Sequence, residues 1–133
     1  MLLDAQLRQA WAEQAKLAHG PVVGAIHTCA DARDGHEYDH AVYQGANWAK
    51  ALQACLVAWA ATGNKDDAQT AIRYMTALLD DLDQIGDHKG GDAAASRDDG
   101  YAIRNLAPYT AIAYDWLHDQ LTPAQRDHAR ARW

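Results

Sequence analysis

Phenylalanine is absent from this chain, serine occurs once (Ser96), glutamate twice (Glu13 and Glu37), cysteine twice and proline three times. Each scarcity excludes something. A single serine outside any Gly-x-Ser-x-Gly turn leaves no place for a serine nucleophile with its base and orienting acid. Cys29 and Cys55 form no Cys-x-x-Cys pair and are too few for a disulfide scaffold. Whether they bridge depends on the compartment and is left open by the sequence. No apolar run approaches the roughly 20 residues that span a bilayer. Met1-Leu2-Leu3-Asp4 lacks the basic start and apolar centre of a signal peptide. Basic residues are also short: 12 Lys+Arg stand against 18 Asp+Glu, for a net charge of −6. That balance argues against nucleic acid and membrane surfaces as partners, since both need a basic face. No phosphate-binding loop or dinucleotide fingerprint occurs, so no cofactor is expected.

What remains is material for helices. The chain has 133 residues, enough for one domain, and 49% are hydrophobic, enough for a core. Alanine dominates, and it is the best helix former. Apolar spacing of three and four predicts five helices. The first runs from about Leu3 to Ala18, ended by Gly20-Pro21. The second runs from about Asn47 to Ala61, with Trp48, Leu52, Cys55, Leu56 and Trp59 in register and Gly63 as a left-handed cap. The third, about Asp66 to Ile85, carries the stripe Ile72, Met75, Leu78, Leu79, Leu82 and Ile85. So short a link between second and third predicts an antiparallel hairpin. The fourth covers about Tyr101 to Leu117, where Pro108 either kinks the helix or marks its true start. The fifth opens on Thr122-Pro123-Ala124-Gln125, a capping box with proline at the first helical position. The fold class is therefore all-α. The fifth helix runs uncapped into Trp133, which leads us to expect one domain over 1–133 that is the N-terminal piece of a larger helical protein. Apolar faces left without companions would favour self-association.

Three groups of residues could carry chemistry. His36-Glu37-Tyr38-Asp39-His40 spells H-E-x-x-H, which on a helix puts two zinc ligands on one face with Glu37 as base. The turn-like Arg33-Asp34-Gly35 before it, the charge of Asp39 and the lack of any later glutamate weigh against that reading. A zinc peptidase using His36, Glu37 and His40 therefore stands as the alternative, and no metal is expected. The other two groups pair aromatic with polar side chains: Tyr43, Gln44, Asn47 and Trp48 before the second helix, and Asp99, Tyr101, Arg104 and Asn105 before the fourth. Rings that cover C–H faces beside amide and guanidinium donors suit a sugar. The plainer reading is that the rings pack helix ends and Asp99 is a cap. Of the remaining histidines, His19, His27, His88, His118 and His128 show no ligand spacing.

Arg97-Asp98-Asp99-Gly100-Tyr101-Ala102-Ile103-Arg104, Ala113-Tyr114-Asp115-Trp116-Leu117-His118-Asp119 and Leu121-Thr122-Pro123-Ala124-Gln125-Arg126 together resemble the early helices of heparinase II/III-like proteins. Tyr43-Gln44-Gly45 and the turn Ala60-Ala61-Thr62-Gly63-Asn64 are similar to the first hairpin of that family, so the resemblance spans roughly residues 40–133. It implies a partial (α/α) toroid of helical hairpins around a cleft for a polysaccharide or oligosaccharide, in a periplasmic or secreted protein. In such lyases an Asn-His pair neutralises the uronate and a tyrosine acts as base and acid. Those residues lie after the matched segment, so no catalytic residue is carried over. The resemblance further implies the rest of the toroid as a partner. A non-enzymatic helical scaffold is the other alternative, although the position 34 residues beyond Trp48 is Leu82 and no tetratricopeptide repeat follows.

Overall fold

The computed structural model describes the backbone of residues 3–34, 42–84 and 103–132, and the side chains of 3–34, 48–80 and 107–132. All the regular structure among these residues is helical, in six helices and one short 3-10 turn. Helix α1 spans Ala5–Gln14, α2 Pro21–Arg33, α3 Val42–Thr62, α4 Lys65–Gln84, α5 Ile103–Leu117 and α6 Pro123–Arg132.

Local chemistry fixes most of the boundaries. The Asp4 carboxylate accepts the Leu7 N–H at 2.7 Å, so the first helix opens at Ala5 and not at Leu3. It closes at Gln14, short of the expected Ala18, and Leu17 beyond it is half exposed. Gly63 has φ +73° and donates its N–H to the Trp59 carbonyl at 2.7 Å, the left-handed stop that its position in the sequence implied. Asn64 then caps α4, its side-chain oxygen accepting the Asp66 N–H at 2.9 Å. The capping box of α6 is formed as expected: Thr122 N–H donates to Gln125 Oε1 at 2.8 Å, and Gln125 N–H to Thr122 Oγ1 at 3.2 Å. Pro108 does not start a helix, because α5 begins five residues earlier and continues through it.

Beyond the shortened α1, the structure corrects the sequence reading at two further places. Helix α2 was not expected at all: Gly20-Pro21 ends no helix but opens one, with Gly20 at φ 144° and Pro21 at the first helical position. And α3 starts at Val42, so the Tyr43–Asn47 cluster lies inside a helix rather than before one.

Two-residue Gly63-Asn64 joins α3 to α4, and these long helices pair along their length as an antiparallel hairpin. Helix α3 is the hub, touching α1, α2, α4 and α5. Its buried Ala49, Ala51, Ala54, Ala58 and Ala60 let neighbours approach closely, while Leu52, Met75, Leu78, Leu79 and Leu117 fill the space between.

Contacts of α1 give the helix directions. The Arg8 guanidinium lies 4.4 Å from the Trp59 ring centroid, near the C-terminal end of α3. One turn on, Trp11 meets Trp116, near the C-terminal end of α5, with ring centroids 5.4 Å apart. Helices α3 and α5 pack against each other and end at the same strut, so they run the same way. Their first turns therefore share the opposite end of the bundle. At 1.5 Å per residue, Tyr43 lies about 24 Å from Trp59 along α3, and Arg104 about 18 Å from Trp116 along α5.

Candidate functional site

The residues singled out by sequence fall at that far end, to the extent that the structure describes them. Tyr43, Gln44 and Asn47 occupy the first two turns of α3, and Arg104 and Asn105 the first turn of α5; their side chains lie outside the described residues. Trp48 is half-buried and packed against the core, so its ring serves the fold on at least one face. Asp99 and Tyr101 lie outside the described residues, as do His36, Glu37, His40 and His88. Two helix N-termini thus share one end of the bundle, each presenting backbone N–H groups with no intrahelical partner. Partial positive charge at both termini favours an anion or a hydroxyl oxygen there.

The side-chain chemistry that the structure does display sits where α2, α3 and α4 meet. Cys29 and Cys55 are joined by a disulfide, with Cα atoms 4.8 Å apart and both residues fully buried. Asp67 Oδ1 approaches Cys29 Sγ at 3.6 Å. A disulfide sulfur carries no proton, so this approach is a packing contact and not a hydrogen bond. Asp67 is itself buried, and its partner is the Arg33 guanidinium, with Nη1 at 3.1 Å from Oδ1. Burial pushes the Asp67 carboxyl above its ordinary value; Arg33 opposes that, neighbouring Asp66 adds to it, and the Thr62 hydroxyl opposes it. Desolvation wins because the guanidinium is about one-third exposed and its charge is partly screened by water.

Beside this pair lies an open cleft of about 320 Å³ lined by Arg33, Asp66, Gln69, Thr70 and Arg73. Arg73 Nη2 donates to the Ala32 carbonyl at 2.8 Å, and Arg33 Nε also faces Asp34 at 3.4 Å. Its two guanidiniums are thus employed in holding the end of α2, and flanking carboxylates balance their charge.

Two of the described histidines, His128 and His118, have carboxylate partners. His128 Nε2 meets Asp80 Oδ1 at 2.8 Å, tying α6 to α4, with Arg132 Nε 3.7 Å from the same oxygen. His118 pairs with Asp119 at 3.2 Å, and His19 and His27 are exposed. Among the described residues no three potential ligands gather to hold a metal ion, and no helix is long and apolar enough to cross a membrane.

Sequence reasoning missed the Arg33–Asp67 pair and left the disulfide open. Both join residues far apart in the chain, and neither has a spacing rule that could have announced it. Compared with protein-family models, curated protein sequences and solved structures, the chain matches none.

Proposed function

We propose that this chain supplies early helices of a carbohydrate-active (α/α)-toroid protein resembling the heparinase II/III-like polysaccharide lyases. In this reading it contributes scaffold and one part of a cleft for a polysaccharide or oligosaccharide, and the catalytic residues lie elsewhere. The observation that supports it best is the meeting of α3 and α5 near their C-terminal ends at α1, where Arg8 touches Trp59 and Trp11 touches Trp116. From it we infer that the first turns bearing Tyr43, Gln44 and Asn47 and those bearing Arg104 and Asn105 lie toward one end of the bundle. Aromatic rings, amides and a guanidinium beside two helix N-termini suit hydroxyls and a uronate carboxylate. The net charge of −6 restricts the role of this part to local contacts, because long-range attraction of an acidic polymer needs cations.

The test is titration of the chain with uronate-bearing oligosaccharides and with neutral ones of equal length, followed by amide chemical shifts. Uronate ligands should perturb amides of residues 42–48 and 103–106. Arg104→Ala should weaken binding about tenfold, the size expected for loss of one charge-assisted hydrogen bond. Lyase activity, read as absorbance of unsaturated uronides, should be absent from residues 1–133 and present in a longer gene product carrying an Asn-His pair. Shifts confined to the α1 end of the bundle, or equal response to Arg104→Ala and wild type, would overturn the reading.

A further inference from the structure

Three attachments converge on the last turn and a half of α2. The Cys29–Cys55 disulfide fastens it to α3, Arg33 pairs with Asp67 of α4 at 3.1 Å, and Arg73 of α4 donates to the Ala32 carbonyl at 2.8 Å. Helix α2 needs them. Its thirteen residues include Gly24 and the β-branched Val22, Val23, Ile26 and Thr28, all weaker helix formers than alanine. A helix of that length is marginal in water without tertiary packing. The α3–α4 hairpin needs no such help, since it is built from two helices of 21 and 20 residues around a continuous buried face.

We propose that Cys29 and Cys55 form a redox-responsive lock. Oxidised, it holds α2 on the α3–α4 hairpin; reduced, it lets α2 loosen while the hairpin stays. Closing it takes two exchange steps with a low-molecular-weight disulfide such as glutathione disulfide. The Cys29 thiolate attacks one sulfur of the oxidant, forming a mixed disulfide and releasing one thiolate, which takes up a proton. The Cys55 thiolate then attacks the Cys29 sulfur and expels the second thiolate. Two protein thiols are oxidised to one disulfide and one small disulfide is reduced to two thiols, with the two protons passing to the leaving groups. In the dithiol state Asp67 Oδ1, 3.6 Å from Cys29 Sγ, stands within reach of the thiol proton. Both half-cystines are 0% exposed, so a reductant reaches them only when α2 lifts. The lock is therefore shut from inside while α2 is docked, and the closed form belongs to an oxidising compartment, where such bonds persist.

The experiment compares the whole chain before and after treatment with dithiothreitol. Intact mass after alkylation in denaturant should show no modified cysteine in the untreated protein and two in the reduced one. Hydrogen exchange should then quicken over residues 21–33 by on the order of a hundredfold, the scale set by opening a chain loop of this size. Residues 52–60 and 68–79 should retain most of their protection. The double variant Cys29→Ser/Cys55→Ser should exchange like the reduced protein and ignore dithiothreitol. If that variant does not fold, the reduced wild-type chain still decides the matter. Two alkylated cysteines in protein recovered from its own cells without reductant would overturn the proposal. So would equal exchange over 21–33 in both states, or a loss of protection shared equally by the hairpin.

Discussion

Arg8 of α1 stacks on the face of Trp59 of α3, its guanidinium carbon 4.4 Å from the ring centroid, on an indole that is only 5% exposed. A cation over a ring largely shielded from water is worth about 1 kcal/mol, more than the same pair at an open surface. Arg8→Met, which keeps an unbranched stem over the ring, should lower stability by about that amount in urea denaturation, and Arg8→Lys by less. Equal loss from both variants would mean that the planar guanidinium, not charge alone, holds α1, and no loss from either that the stem suffices.

The buried carboxyl of Asp67 makes stability depend on pH in a definite sense. Its value in the folded state is raised above the ordinary 3.8, chiefly by burial. The protonated form is thus the one the fold favours: its contribution is complete below 3.8 and is lost as pH rises through the folded-state value. Relative to Asp67→Asn, the wild type should therefore lose stability as pH climbs from 3.8 and then level off. Arg33→Gln, which removes the opposing charge, should move that window to higher pH. Urea midpoints measured from acid to neutral pH on all three proteins check both statements, and parallel curves for wild type and Asp67→Asn would refute the first.

At Gly63 the cost of a side chain should be purely conformational. The residue sits at φ +73°, and a Cβ built there meets no atom within 4 Å. Gly63→Ala should cost about 1 kcal/mol and Gly63→Asn less, because asparagine tolerates the left-handed region better. Thermal melts of the two variants give the ranking directly, and a cost several times larger would point to a clash that the geometry does not contain.

Asp80 and His128 join α4 to α6 at 2.8 Å, but both side chains are more than a third exposed. Water discounts such a pair, so His128→Ala should cost no more than about 1 kcal/mol, and less in high salt. The effect should be local. Hydrogen exchange ought to quicken in α6 and leave α3 unchanged, whereas uniform acceleration would show that α6 unfolds only with the whole domain.

Helices α3, α4, α5 and α6 were legible in the sequence because each presents one apolar stripe or a cap with its own chemistry. Ile72, Met75, Leu78 and Leu79 read as one face and are buried as one face. Helix α2 was illegible for the opposite reason. Pro21-Val22-Val23-Gly24-Ala25-Ile26 is apolar around most of its circumference, so no stripe stands out, and its propensities speak for strand or turn. The start of α3 was read five residues late, since Gly45 and the polar Gln44 and Asn47 look like a loop until the core beneath them is known. Of the chemistry, the caps were readable because they span three residues. The disulfide and the Arg33–Asp67 pair bring together positions 26 and 34 residues apart, which only the finished packing determines.

The tilted pair of Trp11 and Trp116 carries a consequence for spectroscopy. With ring centroids 5.4 Å apart the two indoles are close enough for their transition dipoles to couple, and the expected signature is a paired signal of opposite signs in ultraviolet circular dichroism. That couplet vanishes as soon as α1 swings away, so undocking of the strut can be followed optically without any attached dye.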